Sequence, residues 1–265
     1  MLLKTSLGSA YVHNIDLIDK SKEIILFIPG AGMDHRVADL LHPDPKIFNK
    51  VLSIDLPGHG NSDFSPVKDR PCLSYPVNEV LNLLDKLEIN EYNIIGHSLG
   101  GYIACEYAHQ FPQNLSGLGL IHSTSLSDGS KKKENRKKAI NFIKKHGTDD
   151  FFQLFIKNLV AENNQLLIPK NLVHVIKNTP KNSIINGMKA MMNRPDRKHI
   201  LSLIDYPILF IVGDKDEHYP KHEIFNQASI CKLAQVNVIE NSGHLSMMEN
   251  EKDFLDAIQQ FILIS

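Results

Sequence analysis

Residues 93–101, with the sequence NIIGHSLGG, are the most informative part of the chain about its fold. An apolar, β-branched run passes through the pattern Gly-x-Ser-x-Gly into a segment rich in small residues. In this pattern the serine stands on a sharp turn between a strand and a helix, so that its hydroxyl projects above the sheet. Side chains at Gly96 and Gly100 would collide in so tight a turn. We therefore predict a strand, a strained turn and a helix here, with Ser98 as a nucleophile.

Outward from this turn, short apolar runs alternate with longer segments of helical periodicity. The runs are bounded by turn-forming residues and lie at Ile24–Ile28, Val51–Ile54, Asn93–Ile95, Gly117–Ile121, Ile208–Val212 and Val236–Ile239. Apolar stripes at helical spacing occur in Val77–Leu87, Leu99–Phe111 and Phe254–Ile262. Leu2–Thr5 and Ala10–Ile15 predict an antiparallel hairpin at one edge. The pattern predicts an α/β fold with a mostly parallel central sheet flanked by helices.

The alternation lapses between residues 123 and 203, where about 80 residues carry helical signals and no strand signal. A stretch of this kind, between two strands of one sheet, predicts an inserted helical cap. We accordingly expect a core domain formed by residues 1–122 and 204–265, with residues 123–203 as the cap.

A serine is a poor nucleophile unless a base removes its proton and a carboxylate orients that base. In this architecture the acid and the histidine follow the serine along the chain, each beyond the end of a strand. Asp214 and Asp216 both follow the run that ends at Val212. We favour Asp216, which lies farther around the turn, whereas Asp214 could bind backbone N–H groups of the loop. His244 follows the last apolar run, and we predict that it is the base.

The remaining histidines lack this placement. His97 is adjacent to the serine, and a neighbour on a sharp turn points away from it. His122, His199 and His218 are interpreted as structural or surface residues.

Acyl transfer also requires two N–H donors aimed at the developing oxyanion. The backbone N–H of Leu99, directly after the nucleophile, is the first candidate. The second is the N–H of Ala31, which lies between two glycines in the loop after the first buried run. That loop lacks the third glycine and the lysine of a phosphate-binding loop, which disfavours nucleotide binding.

Four segments together resemble the α/β-hydrolase fold superfamily: PGAGMDH, DLPGHGNS, GHSLGG and GDKDEHYP…GH. The resemblance implies Ser98 as nucleophile, Asp216 as acid, His244 as base, and Ala31 with Leu99 as oxyanion donors. The usual His-Gly of the first loop is replaced here by Pro-Gly. A serine at the turn argues against the haloalkane dehalogenase branch, whose nucleophile is an aspartate.

Composition excludes several classes of protein. The 29 Lys and Arg residues against 30 Asp and Glu give a formal net charge of -1, unlike the basic excess of a general nucleic-acid binder. The 3 cysteines are widely spaced, without the pattern of a zinc site or a disulfide framework. The sequence shows no signal peptide and no apolar run long enough to span a membrane. We expect a cytoplasmic protein that needs neither a metal nor an organic cofactor; its oligomeric state is left open.

The predicted cap begins with a lysine-rich run at residues 131–138, followed by apolar and methionine-rich stretches. Such a run is usually a solvated helix face, although it could attract an anionic substrate or a membrane surface. The apolar side chains could wall a pocket above Ser98. The leading interpretation is a carboxylesterase that acts on a small or medium apolar ester through an acyl-enzyme. The alternatives are a thioesterase, a C–C bond hydrolase or lyase with the same triad, and a non-catalytic receptor of this fold.

Overall fold

The structure is a computed structural model that describes residues 1–5, 8–17, 23–41, 51–63 and 71–265. Its centre is a sheet of eight strands in the order β1-β2-β4-β3-β5-β6-β7-β8. β1 and β2 form an antiparallel hairpin, β2 pairs antiparallel with β4, and the other strand pairs are parallel. The strands are β1 (Leu2–Thr5), β2 (Gly8–His13), β3 (Ile25–Ile28), β4 (Val51–Ile54), β5 (Tyr92–His97), β6 (Leu115–Ile121), β7 (Ile208–Gly213) and β8 (Ala234–Ile239). The predicted α/β fold is therefore confirmed.

Apolar composition explains why these runs form the centre of the sheet. Every residue of β3, β4, β5 and β7 is buried, as expected of parallel strands covered on both faces. The α-helices of the described residues are α1 (Ser74–Lys86), α2 (Leu99–Gln110), α3 (Ser130–His146), α4 (Thr148–Phe155), α5 (Lys170–Asn178), α6 (Lys181–Asn193), α7 (Lys221–Ala228), α8 (Ser246–Glu249) and α9 (Glu251–Ile262). Short 3-10 turns lie at Ile15–Leu17, His35–Leu41, Pro112–Asn114, Ile156–Leu159, Glu162–Leu167 and Lys198–Ser202.

The chain between β6 and β7 contains α3 to α6 and three of the 3-10 turns. α3 packs against α4 and α6, and α6 also contacts α2 of the main body. In the part of the chain that the structure describes, no helix is both long and apolar enough to cross a membrane.

Because β3, β5, β6, β7 and β8 are parallel, their carboxyl ends meet at one edge of the sheet. β5 lies between β3 and β6, so the turn after β5 is near the centre of that edge. The loops after β6, β7 and β8 follow in spatial order along the same edge. This edge carries the predicted site residues.

The glycines around Ser98 are required by contact as well as by conformation. A Cβ on Gly100 would lie 2.0 Å from the backbone oxygen of Ile28, and one on Gly96 would lie 2.2 Å from the backbone of Gly100.

We expect Gly100→Ala to lower the free energy of unfolding by about 3 kcal/mol or more, because the clash is with backbone. Urea denaturation measures this loss. Gly129→Ala is the matched control, since a Cβ there meets nothing within 4 Å, and equal stability of the two variants would contradict the account.

Candidate active site

Ser98 occupies the strained turn between β5 and α2. Its backbone lies at φ 51° and ψ -112°, in a region that residues with a side chain rarely adopt. The turn is fixed by the Ser98 N–H, which donates to the Ile121 carbonyl at 2.9 Å, and by Ser123 Oγ, which donates to the Ser98 carbonyl at 2.8 Å. The site thus holds a half-buried serine hydroxyl at the start of a helix.

The predicted oxyanion donors lie on either side of this serine. A Cβ on Gly30 would come within 3.4 Å of the Cβ of Ser98, so the loop after β3 passes directly beside Ser98. Ala31 follows in that loop, and Leu99 is the first residue of α2. Neither the Ala31 nor the Leu99 N–H donates a hydrogen bond to another described residue. Both amides are therefore available to a ligand, and the Leu99 amide also lies at the positive end of the helix dipole.

Asp216 and His244 meet at the neighbouring loops. His244 Nδ1 lies 2.9 Å from Asp216 Oδ2, and both side chains are buried. The competing Asp214 instead accepts a hydrogen bond from the Ser242 N–H at 3.1 Å and pairs with Lys215. The geometry therefore brings Asp216 rather than Asp214 to the histidine.

Asp216 is held as a carboxylate. Burial by itself would raise its pKa, but the facing His244 and the hydrogen bonds from His122 and His244 hold that pKa well below its usual range. The second oxygen, Oδ1, accepts the backbone N–H of His218 at 2.9 Å. Asp216 therefore remains an ionised hydrogen-bond acceptor at neutral pH.

A second histidine reaches the same carboxylate. His122, the residue after β6, is fully buried and places Nδ1 at 2.8 Å from Asp216 Oδ2. Its Nε2 lies 2.6 Å from Ser246 Oγ at the start of α8. Burial lowers the pKa of His122, so the ring is neutral.

Three further rings surround His244. Tyr219 stacks on it with centroids 5.5 Å apart, and His218 and His97 lie 5.2 Å and 5.0 Å away. Burial lowers the pKa of His218 to about 4 and that of His97 well below its usual range. His97 Nε2 donates to the His244 carbonyl at 3.0 Å, which anchors the loop that carries His244 to the turn at Ser98.

The structure brings Asp216 to His244 directly but does not join His244 to Ser98. Among the described residues no hydrogen bond links Ser98 Oγ to His244 Nε2. Such bonds are often long without substrate and tighten only when a substrate is bound. The hydrogen bond from His97, the residue before Ser98, to the His244 carbonyl places the two halves of the site side by side.

Two groups of side chains have ligand atoms close enough to hold a metal ion. These are His122, Asp216 and His244, and Asp34, His35 and Asp55, in each of which the ligand atoms lie within 4.8 Å of one another. In the first group both ring Nδ1 atoms direct N–H groups at Asp216. In the second group Asp55 accepts from the backbone N–H of His35 and of Asn61. Hydrogen bonding thus accounts for both clusters.

A cleft with a cavity volume of about 80 Å³ opens beside Leu99. Its walls come from the loop after β4, from the segment that leads into α1 together with the first turn of α1, and from the helices α2 and α6. The wall residues are Leu56, Pro57, His59, Pro71, Cys72, Leu73, Tyr75, Pro76, Leu99, Ile103, Ser183, Asn186, Gly187 and Ala190. No aspartate, glutamate, lysine or arginine is among these described wall residues. Burial lowers the pKa of His59, so this ring is also uncharged at neutral pH. The cleft can therefore accommodate an uncharged, largely apolar group.

The lysine-rich start of α3 is mainly a solvated face, with Lys131, Lys133, Lys137 and Lys138 exposed. Lys132 differs, because its Nζ donates to the His218 carbonyl at 2.8 Å and lies 4.8 Å from the Tyr219 ring centre. The run therefore contributes one direct contact to the loop that carries Asp216.

Sequence reasoning missed the place of His122 and His218 at this site. A usable signal was present for His122, because it follows the carboxyl end of a buried strand, as Asp216 and His244 do. That signal is easily overlooked, because a catalytic triad calls for only one histidine beside the carboxylate. His218 lies against His244 through its position two residues beyond Asp216.

Comparison with known proteins gives a consistent result. The sequence profile described as "Alpha/beta hydrolase family" matches residues 25–257. A putative 2-succinyl-6-hydroxy-2,4-cyclohexadiene-1-carboxylate synthase of Bacillus subtilis is 23% identical over 245 residues, which cover 88% of this chain and 86% of that protein.

Solved structures show the same similarity. A thermophilic esterase from Thermogutta terrifontis superposes with a TM-score of 0.87 at 21% identity, covering 99% of this chain and 97% of that one. The enol-lactonase from Burkholderia xenovorans LB400 superposes with a TM-score of 0.84 at 17% identity, covering 99% and 100%. At these identities the structural similarity concerns the fold.

Proposed function

The chain belongs to the alpha/beta hydrolase family, and on that premise we propose that it is a serine hydrolase that cleaves an uncharged carboxylic ester. The observation that carries the proposal is the buried contact between Asp216 and His244, at the sheet edge where Ser98 stands on its strained turn. These are the parts required for nucleophilic catalysis by a hydroxyl group.

In the proposed reaction His244 Nε2 takes the proton of Ser98 Oγ as the hydroxyl oxygen attacks the ester carbonyl. Asp216 keeps the proton of His244 on Nδ1, so that Nε2 presents its lone pair, and it stabilises the imidazolium that forms. The N–H groups of Ala31 and Leu99 bind the oxyanion. His244 then protonates the departing alcohol, and a water molecule that it activates releases the acid from Ser98.

The substrate class follows from the proposed binding cleft. Its apolar walls and the lack of a charged side chain among them favour an uncharged acyl or aryl group. The helical segment of residues 123–203 supplies α6 as one of these walls, which is the role proposed for it as a cap. The residues of α3 that could attract an anion are largely exposed to solvent and do not line this cleft.

A substrate panel tests this function. We would compare p-nitrophenyl butanoate, butanoyl-coenzyme A and a vinylogous diketone, which report ester, thioester and C–C bond cleavage. The expected result is a kcat/KM for the neutral ester that is at least about tenfold above the value for the thioester or for the diketone. This equals a difference of about 1.4 kcal/mol in the activation free energy. A preference for the charged thioester would overturn the substrate class, and turnover of the diketone alone would replace the ester reaction by C–C hydrolysis.

A further inference from the structure

We propose that His122 is a positioning residue, whose Nδ1–H holds the Asp216 carboxylate and thereby sets the pH range in which His244 acts as a base. The inference rests on the proposed function, because it concerns the acid and base of the same reaction. The contact itself is independent of any substrate: Nδ1 of each histidine lies within 2.9 Å of the same carboxylate oxygen.

The tautomer of His122 follows from its two neighbours. Asp216 is a carboxylate and can only accept, so Nδ1 of His122 must carry the ring proton. On the opposite side of the ring, Nε2 faces Ser246 Oγ at 2.6 Å and the Ser246 backbone N–H at 3.4 Å. A backbone N–H can only donate, so Nε2 is the acceptor. Both sides of the ring therefore require the same neutral tautomer, with the proton on Nδ1.

Two N–H groups thus share Asp216 Oδ2. A carboxylate oxygen that is already hydrogen-bonded to one ring carries less negative charge toward the other. The His122 contact therefore weakens the stabilisation that Asp216 gives to the protonated form of His244. As a result His244 loses its proton, and becomes a base, at lower pH than it would if it were the only ring that donates to Asp216 Oδ2.

The other groups that face the two rings do not provide this effect. Around His244, burial keeps His97 and His218 neutral, and Tyr219 is an uncharged phenol because burial raises its pKa well above the usual range. Lys132 contacts the His218 carbonyl and the Tyr219 ring, and Arg136 on the same helix is paired with Asp128. Near His122, the Glu249 carboxylate accepts the N–H groups of Gly243 and Leu245.

The backbone also restricts what can replace His122. Its φ of 45° lies in the left-handed region, which asparagine tolerates better than most residues. Asparagine in addition carries an N–H donor at the same number of bonds from Cα as Nδ1. His122→Asn therefore keeps the donor, whereas His122→Leu removes it at similar volume.

The experiment compares the pH dependence of kcat/KM for these two variants with the unsubstituted protein. In His122→Leu the acid limb is expected to move upward by about one pH unit, the size of shift that one hydrogen bond to a charged partner produces. At a fixed pH below both limbs this equals a kcat/KM tenfold lower than that of the parent, about 1.4 kcal/mol. His122→Asn is expected to stay within about 0.3 unit of the parent, since its donor remains.

Ser246→Ala provides the matched control, because it removes the hydroxyl on Nε2 and leaves the Nδ1 contact with Asp216. Its acid limb is expected to coincide with that of the parent. A purely structural role of His122 would lower kcat in His122→Leu without moving the limb, and that outcome would overturn the proposal.

A second measurement separates this inference from the proposed function, because it needs no turnover. In Ser98→Ala protein, nitrogen-15 NMR of the imidazole rings reports the tautomer of His122 and the midpoint at which His244 takes up its proton. We expect His122 to carry its proton on Nδ1 and to remain neutral from about pH 5 to pH 9, while His244 titrates. A proton on Nε2 of His122, or titration of His122 in that range, would refute the inference even if the esterase activity is present. This measurement also stands if His122→Leu does not fold.

Discussion

Ser98→Ala is expected to lower kcat for the best neutral ester by about 10⁴-fold to 10⁶-fold, because the variant has no hydroxyl to form the acyl-enzyme. The residual rate would come from the oxyanion donors and from binding alone. Steady-state hydrolysis of p-nitrophenyl butanoate by the purified variant measures the loss.

The substitution is expected to leave the fold intact. Alanine meets the same backbone strain at φ 51° as serine does, and no hydrogen bond of the Ser98 side chain to another described residue is lost. The thermal midpoint should therefore change little. Ser202→Ala is the matched control, since Ser202 is exposed and its hydroxyl only caps the His199 carbonyl. A Ser98→Ala protein that retains more than a tenth of the parent rate would show that another group attacks the ester.

Asp216→Asn is expected to lower kcat by about 10⁴-fold, through the tautomer of His244. An asparagine amide directs either its NH₂ group or its carbonyl at Nδ1, and the NH₂ group would force the ring proton onto Nε2. His244 could then no longer accept the serine proton. The effect should be severe here because two ring N–H groups, from His122 and His244, both require the acceptor that is lost.

The chain offers a matched control two residues away. Asp214→Asn keeps an oxygen that can accept the Ser242 N–H, and Asp214 does not contact His244. We expect its kcat/KM to remain within about threefold of the parent, as for a substitution outside the reacting groups. Equal losses in Asp214→Asn and Asp216→Asn would show that the loop, rather than the carboxylate contact, is what matters.

The sequence could predict the features of the molecule that local geometry determines. The turn at Ser98 depends on residues within one strand and one helix. Its glycines identify the turn in the sequence, because a Cβ at Gly96 or Gly100 has no room. The alternating apolar runs likewise predicted the six strands β3 to β8, with bounds that differ from the structure by at most a few residues.

Contacts between distant segments were harder to predict. The proximity of His122 to Asp216 depends on the adjacency of β6 and β7 in the sheet, and its bond to Ser246 depends on where α8 begins. Neither is encoded in local periodicity. The Lys132 contact was missed for a similar reason, because a lysine run has the same pattern whether one member turns inward or all remain in solvent.

The charge balance of the chain has a related explanation. The formal net charge of -1 is a sum over the whole chain, so it does not show how the charges are distributed. The surface of α3 carries exposed lysines, whereas the described walls of the cleft contain no charged residue. Composition therefore carried no information about the substrate, and the proposed substrate class rests on the walls of the cleft instead.

The most direct test of the central claim is covalent labelling with a fluorophosphonate, which reacts with serine hydroxyls that a neighbouring base has activated. Intact-mass analysis followed by peptide mapping should show a single adduct, located on Ser98. The adduct should be absent in Ser98→Ala and strongly slowed in Asp216→Asn. A folded protein that acquires no adduct, or acquires it on another residue, would contradict the assignment of Ser98 as the activated nucleophile.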